Sequence, residues 1–413
     1  MKKIELLAPA GDAEKLKTAL YFGADAVYVG GKDLNLRAYA CGFDEKELQE
    51  AVKYTHNLGK KIYVTVNIFA RNYDIEKAAD YVVFLENIGA DGVIVSDAGI
   101  LTVAGEKLKN MPVFLSTQAS ALNYAAVNFW KNAGVKRVIL ARELSLKEIK
   151  EIHDKVPDIE LETFIHGAMC ISYSGRCLLS DYRAGRSSNR GECVQACRWS
   201  YEIREKGSNG AFMDMEQDER GTYILNSKDL CLCDYISELA EAGVSSFKIE
   251  GRMKSEYYLA TVVNAYRRAL DSYYKTGAEY KNNDYISELE KTAHREFTTA
   301  YLLDEYERTE NFDDSQSEGT HKFIAKVLSY DNEKKCAVVE MRNRFAVGDQ
   351  LEVLSPSSSF NKIIKVESMT DDAGNNVTDA KIVQQHLKIF TEVSLNRGDI
   401  LRKKFYNNSR VTI

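Results

Sequence analysis

Four times in this chain a glycine that ends a helical pattern leads directly into a short apolar run. The phrase reads Phe22-Gly-Ala-Asp-Ala-Val-Tyr-Val29, Ile88-Gly-Ala-Asp-Gly-Val-Ile-Val95, Ala133-Gly-Val-Lys-Arg-Val-Ile-Leu140 and Ala242-Gly-Val-Ser-Ser-Phe-Lys-Ile249. Glycine just past a helix adopts positive φ without a steric penalty, and the branched run after it reads as a strand buried on both faces. A helix–glycine–strand unit repeated in this way predicts parallel strands joined by helices. Strand-like runs at 4–8, 61–67, 113–117 and 160–166 bring the strands to eight, separated mostly by helical patterns such as 45–58 and 74–88. Eight units in roughly the first 250 residues match the size of a (β/α)8 barrel. An open doubly wound sheet is the competing layout, but Ala8-Pro-Ala-Gly11 follows the first strand where a Gly-x-Gly-x-x-Gly turn would stand. A further strand-like piece at 222–226 sits inside a cysteine-bearing insertion around 166–233, so the count admits one strand more.

Helical patterns continue through 255–274 and 284–295, completing a first domain over 1–303. An acidic, polar stretch at 304–320 has the composition of a linker. From 321 to 413 the pattern changes to short alternating strands, at 323–328, 336–341, 350–354, 362–366 and 386–393, with Gly-Asp turns in Val347-Gly-Asp-Gln350 and Arg397-Gly-Asp-Ile400. This reads as a small antiparallel β-barrel. Its 15 Lys and Arg against 11 Asp and Glu make it the more basic part of the chain, either a stabilising appendage or a nucleic-acid module.

The net charge of −6 excludes a uniformly basic nucleic-acid binder but not a local basic face. A 45% hydrophobic content over 413 residues fills a large core without disulfide staples. Met-Lys-Lys runs straight into a strand pattern, no signal peptide is visible, and no apolar stretch reaches the length of a membrane span. The expectation is a soluble chain of the reducing cytoplasm, without membrane contact.

In that compartment clustered thiols are ligands or catalysts. Cys170, Cys177, Cys193 and Cys197, four of the eight cysteines, fall within 28 residues. Soft thiolates on a loop-rich segment suit zinc or an iron–sulfur cluster, and their spacing is neither that of zinc ribbons nor of ferredoxins. Disulfides and inert buried thiols are the competing readings. Arg176, Arg183, Arg186, Arg190 and Arg198 surround them, with Asp181 and Glu192 as the counter-charges. Such cations lower thiol pKa values and attract a polyanion, while Tyr173, Tyr182 and Trp199 offer stacking faces for bases. Aromatics at this spacing also serve as plain core residues.

Catalytic groups of a (β/α)8 barrel gather where its strands end. The expected ends supply Asn35 and Arg37, Asn67, Ser96 and Asp97, Gln118, Arg142 and Glu143, His166, Asn226 with Lys228 and Asp229, and Glu250 with Arg252 and Lys254. This cation-rich rim suits an anionic substrate, because Arg binds carboxylate or phosphate through paired charge-assisted hydrogen bonds. Alternatively, Arg142–Glu143 and Glu250–Arg252 are ion pairs that orient each other, and His166 is a structural hydrogen-bonder. There is no His-Glu-x-x-His and no Gly-x-Ser-x-Gly, so neither hydrolytic motif is present.

The run Glu162-Thr-Phe-Ile-His-Gly-Ala-Met-Cys170-Ile-Ser-Tyr-Ser-Gly-Arg-Cys177-Leu-Leu-Ser180 resembles the signature of the family long labelled collagenase-like, or unassigned-type, peptidases. The resemblance extends through Leu6-Leu-Ala-Pro-Ala-Gly11, Val64-Thr-Val-Asn67, Arg142-Glu-Leu-Ser-Leu146, Asn226-Ser-Lys-Asp-Leu230 and Phe247-Lys-Ile-Glu-Gly-Arg252, and covers essentially the whole chain. Within that family, Asn226-Ser-Lys-Asp229, Ala196-Cys-Arg-Trp199 and the C-terminal barrel are most similar to the prephenate-dependent branch that forms 5-hydroxyuridine at the tRNA wobble position.

That likeness implies a [4Fe–4S] cluster on Cys170, Cys177 and Cys193, with Cys197 or Cys231 as fourth ligand. It also implies tRNA and prephenate as partners, with a homologous protein as a further one. Arg142, Lys228, Arg252 and Lys254 then become candidates for the small anion, His166 and Glu250 for catalysis, Asn67 and Gln118 for substrate contact, and Arg176, Arg186 and Arg190 for RNA phosphates. Sister branches hydroxylate ribosomal RNA or a ubiquinone precursor, and the peptidase label supplies a further alternative.

Overall fold

The computed structural model describes residues 3–36, 42–170, 172, 173, 175–199, 217, 218, 221, 222, 228–282, 284–303 and 319–405. Eight parallel strands close into a barrel: β1 (Glu5–Pro9), β2 (Ala26–Gly30), β3 (Lys61–Val66), β4 (Gly92–Val95), β5 (Val113–Leu115), β6 (Arg137–Ile139), β7 (Glu160–Ala168) and β8 (Val244–Ile249). β8 pairs with both β7 and β1, which shuts the ring. These are the eight runs expected from the sequence pattern.

Helices α1 (Ala13–Tyr21), α2 (Glu45–Asn57), α3 (Asn72–Asn87), α4 (Ala98–Lys107), α5 (Tyr124–Asn132) and α6 (Leu146–Lys155) follow the first six strands in turn. Their starts are encoded locally. Asp44 and Glu47 form a reciprocal capping box on α2, and Ser145 and Glu148 do the same on α6. The four phrase glycines, Gly23, Gly89, Gly134 and Gly243, all have φ between 86° and 110°. At Gly243 a Cβ would also lie 2.2 Å from the His153 ring, so the helix-to-strand turn there admits no side chain.

β7 outruns its neighbours, and its far end carries the antiparallel strand Asp229–Cys231, which pairs in turn with Phe297–Thr298. These strands lie outside the ring. The strand-like piece expected at 222–226 contributes Gly221–Thr222 to a separate pairing with Gln217–Asp218, and 223–226 lies outside the described residues. Helices α7 (Leu179–Ala184), in the cysteine segment, α8 (Ile236–Glu241) and α9 (Glu256–Thr276) complete this part of the chain.

Barrel interiors of this type are usually layers of branched apolar side chains. Here a column of charge runs through the lower part instead. Arg137 Nη1 reaches Glu5 Oε1 at 2.6 Å and Glu162 Oε2 at 3.0 Å, Tyr63 donates to Glu5 at 2.6 Å, and Lys248 Nζ lies 2.8 Å from Glu162 Oε1. Burial opposes the ionisation of Glu162, but Lys248 and Arg137 outweigh it and its carboxyl stays below the usual range.

The C-terminal part is a seven-stranded antiparallel half-barrel with its own apolar core. Its strands are β9 (His321–Asp331), β10 (Cys336–Met341), β11 (Gln350–Leu354), β12 (Ile363–Lys365), β13 (Met369–Asp371), β14 (His386–Phe390) and β15 (Ile400–Lys404), in the order β12-β11-β15-β9-β10-β14-β13. The sequence pattern missed β13, which is very short, and β15, whose Ile-Leu-Arg-Lys-Lys run lacks an alternating apolar face. The acidic stretch at 304–318 lies outside the described residues.

Much of the positive charge of this sheet is used against the barrel. Fully buried Arg402 donates to both Glu288 oxygens, at 2.6 and 3.0 Å, and to Glu352 and Asn361 at 2.8 Å each. Lys326 lies 2.5 Å from Glu256, and Tyr21 donates to Asp399 at 2.8 Å. Ion pairs therefore fix the sheet against α9 and the segment carrying Glu288, and a hydrogen bond ties it to Tyr21 of α1.

Candidate functional site

Where the strands end, the βα loops and the cysteine segment enclose a cavity of about 390 Å³. Its size is that of a small-molecule site. The barrel contributes Tyr28, Thr65, Phe164 and Lys248, its rim contributes Asn67, Gln118, Arg142, Glu250, Arg252 and Lys254, and the insertion contributes Cys170, Cys177, Cys193 and Cys197.

Four contacts hold the insertion over the barrel mouth. Arg190 donates to the Phe69 carbonyl at 2.7 Å and pairs with Asp74 at 2.8 Å, and Phe69 N donates to the Asn189 carbonyl at 3.0 Å. The fourth is steric. Gly175, at φ +74°, lies so close to Gln118 that a Cβ would stand 2.2 Å from its carbonyl oxygen. Arg190 is thus a fastener, whereas Arg176 and Arg186 are exposed.

Around the thiols the backbone supplies donors. Gln195 N lies 3.4 Å from Cys193 Sγ, Ser172 N donates to Cys170, and Gln195 has left-handed φ of 56°. N–H groups two residues beyond a cysteine form the kind of concave donor nest that stabilises thiolate ligands of iron–sulfur clusters. Among the described residues no three His, Cys, Asp or Glu side chains gather as they would around a single ion. The four thiols that line the cavity are soft donors of the kind that hold zinc or an iron–sulfur cluster.

The expected lowering of thiol pKa is not found at Cys170. Burial pushes that thiol up, neighbouring Cys177 and Cys193 push it further, and Arg142 only partly offsets them. Arg176, Arg183 and Arg186 are exposed, where water screens their charge. Cys231 is elsewhere altogether: it is buried, its Sγ lies 3.8 Å from the Tyr266 hydroxyl, and burial pushes its thiol up to about 12.

Of the rim cations, Arg252 is buried and donates to Thr65 Oγ1 at 3.1 Å and Asn35 Oδ1 at 3.3 Å. Gly30 makes room for it, since a Cβ there would lie 2.6 Å from the guanidinium. Arg142 stacks 4.1 Å from the centre of the Phe164 ring and donates to the Ala168 carbonyl. Lys228 is turned away from the cavity and pairs with Glu296 at 2.8 Å. His166 does not line the cavity either. It is packed among Tyr258, Tyr266 and Phe297, and burial lowers it to about 3, so it is neutral at physiological pH. Asp97 caps α4 and Ser96 donates to the Asn67 carbonyl, which gives both a local structural task. Arg37 and Asn226 lie outside the described residues.

The sequence pattern overlooked Lys248, Tyr28 and Phe164. A lysine inside an otherwise apolar strand was the available signal, because burying an ammonium is costly unless something compensates it.

The family description "Peptidase family U32" matches residues 11–311, and "Peptidase family U32 C-terminal domain" matches 319–402. The chain is 41% identical to "tRNA hydroxylation protein P1" of Bacillus subtilis, over 97% of this chain and 95% of that protein. It is 36% identical to "tRNA hydroxylation protein P" of Escherichia coli, over 87% and 88% respectively. It is also 30% identical to "Collagenase" of Porphyromonas gingivalis, over 88% and 89%.

Proposed function

The chain belongs to peptidase family U32, and we propose that it is a tRNA-modifying enzyme that hydroxylates wobble uridine to 5-hydroxyuridine, independently of molecular oxygen and with prephenate as co-substrate. We propose that Cys170, Cys177, Cys193 and Cys197 hold a [4Fe–4S] cluster for this reaction. The observation that carries the reading is that these four cysteines share one enclosed cavity with Arg142, Arg252 and Lys254. The names of the relatives at 36% and 41% identity support the nucleic-acid substrate.

A cluster bound there would supply electron transfer beside the substrate. The chain's own residues divide the remaining work. Arg142 and Lys254 bind the small acid, and Arg252, fixed by Thr65 and Asn35, shapes the rim and adds positive potential. Exposed Tyr173, Tyr182 and Trp199 offer stacking faces on the insertion, and Arg176 and Arg186 lie beside them for phosphates. Because His166 is held neutral away from the cavity, proton transfer is assigned to groups that line it, with Glu250 the leading candidate.

Nucleoside mass spectrometry of tRNA from a deletion strain without a second copy of the gene tests the reading. Loss of 5-hydroxyuridine derivatives, restored by the wild-type gene, is the expected result; an unchanged profile refutes it. Peptidase activity is the competing reading, motivated by the relative named Collagenase. Among the described residues no histidine lines the cavity, which disfavours a histidine proton shuttle. Gelatin cleavage by purified protein, abolished by rim substitutions, would favour the peptidase.

The two kinds of ligand should separate by salt. Replacing Arg176 and Arg186 together by Ala should weaken tRNA binding and reduce the dependence of log affinity on log salt by roughly two, one per lost phosphate contact. Binding of prephenate should be unaffected. An unchanged salt slope would move the tRNA interface elsewhere.

A further inference from the structure

Lys248 is the single charged residue of β8, and it is 4% exposed. Its Nζ lies 2.8 Å from Glu162 Oε1, which is its one hydrogen-bond partner among the described residues. An ammonium has three donors. The other two are left to the Tyr28 ring, 4.4 Å away, the Phe164 ring, 5.5 Å away, and the cavity that all three residues line. Glu162 is meanwhile shared with Arg137, so Lys248 does not have its counter-ion to itself. Arg142, 4.1 Å from the centre of the Phe164 ring, also lines the cavity. One Nη is committed to the Ala168 carbonyl, while its Nε is buried without a partner.

Two cations that line one cavity thus both lie close to the Phe164 ring. A buried donor left without an acceptor is costly, and a structural ion pair gains nothing from keeping such donors beside a cavity. An anionic oxygen entering the cavity would give the Lys248 ammonium a further acceptor and would meet the positive charge of Arg142. Ile94, Ile139 and Met169 give the lining an apolar part, beside polar residues such as Thr65, Ser116 and Glu250.

We propose that Lys248 and Arg142 form a carboxylate subsite at the inner end of the cavity, taking one acid group of a small organic acid whose body is apolar. This deepens the function proposed above and rests on it in treating the cavity as the small-molecule site. Lys248 then contacts the ligand directly, and the charge column beneath it serves to hold a cation in an apolar barrel. Burial lowers the Lys248 ammonium and Glu162 counters it, so Glu162 is the positioning residue that keeps the cation in place.

Calorimetric titration of anaerobically purified full-length protein with prephenate, and with phenylpyruvate as a monocarboxylate, tests the subsite. Lys248→Met should weaken both acids by roughly tenfold to a hundredfold, the worth of a charged hydrogen bond, without changing tRNA affinity. If Lys248→Met fails to fold, Glu162→Gln combined with Lys248→Met removes the buried pair together, and Arg142→Gln tests the more exposed partner; each should show the same loss. The proposal is overturned if these folded variants bind the acids as wild type does, or if wild type binds neither acid. The tRNA nucleoside profile is a separate readout: acid binding by wild type that these variants lose, together with unchanged 5-hydroxyuridine in the deletion strain, would sink the proposed function and leave the subsite standing.

Discussion

Anaerobically purified Cys197→Ser protein is expected to lose most of its iron, whereas Cys231→Ser protein should retain about four irons per chain. The sequence offered both cysteines as the fourth ligand. Cys197 lines the same cavity as Cys170, Cys177 and Cys193, while Cys231 is buried beside Tyr266 on the strand that extends β7. Iron and sulfide analysis of both variants, with circular dichroism to confirm folding, decides the matter. Retained iron in Cys197→Ser together with loss in Cys231→Ser would reverse the assignment.

Arg402→Met should be the most damaging single substitution outside the site, destabilising the chain by about 3–5 kcal/mol because it strands two carboxylates in a buried contact. Lys291, 2.9 Å from Glu288 and 2.7 Å from Glu352, remains to moderate the loss. Adding Glu288→Leu to Arg402→Met should recover much of the stability, since replacing a buried pair by apolar groups costs far less than breaking it. Urea unfolding of the three proteins measures this. An Arg402→Met variant as stable as wild type would show that apolar packing alone holds the half-barrel in place.

The same contact predicts a pH dependence. Burial lowers His321 to about 4, and Arg402 adds to the effect. The unfolded chain then binds a proton at this histidine below about pH 6.5 that the folded chain refuses until about pH 4, so stability falls as pH drops through that window. Burial opposes ionisation of Glu352, but Arg402 and Lys291 outweigh it and lower its carboxyl. Its contribution is therefore present above the ordinary carboxylate range and is lost only in stronger acid.

What the sequence alone determined was periodic or local. The glycines that end helices, the apolar runs behind them and the capping boxes all act within a few residues, and they sufficed to specify eight parallel strands and a barrel. Clustered cysteines were equally legible, because four thiols within 28 residues of a cysteine-poor chain stand out as a shared donor set. Long-range side-chain commitments were left to the tertiary structure. His166 and Cys231 stand at positions that suggested chemistry, but β7 and its added strand present them to the aromatic side chains of α9. Lys228 and Arg190 are spent on Glu296 and Asp74, partners 68 and 116 residues away. Lys248 was hidden in an apolar strand, and β15 was concealed by Arg402, whose partners Glu288 and Glu352 come from two parts of the chain. A charge reads as surface in sequence, and only the fold reveals that its counter-charge has been brought into the core beside it.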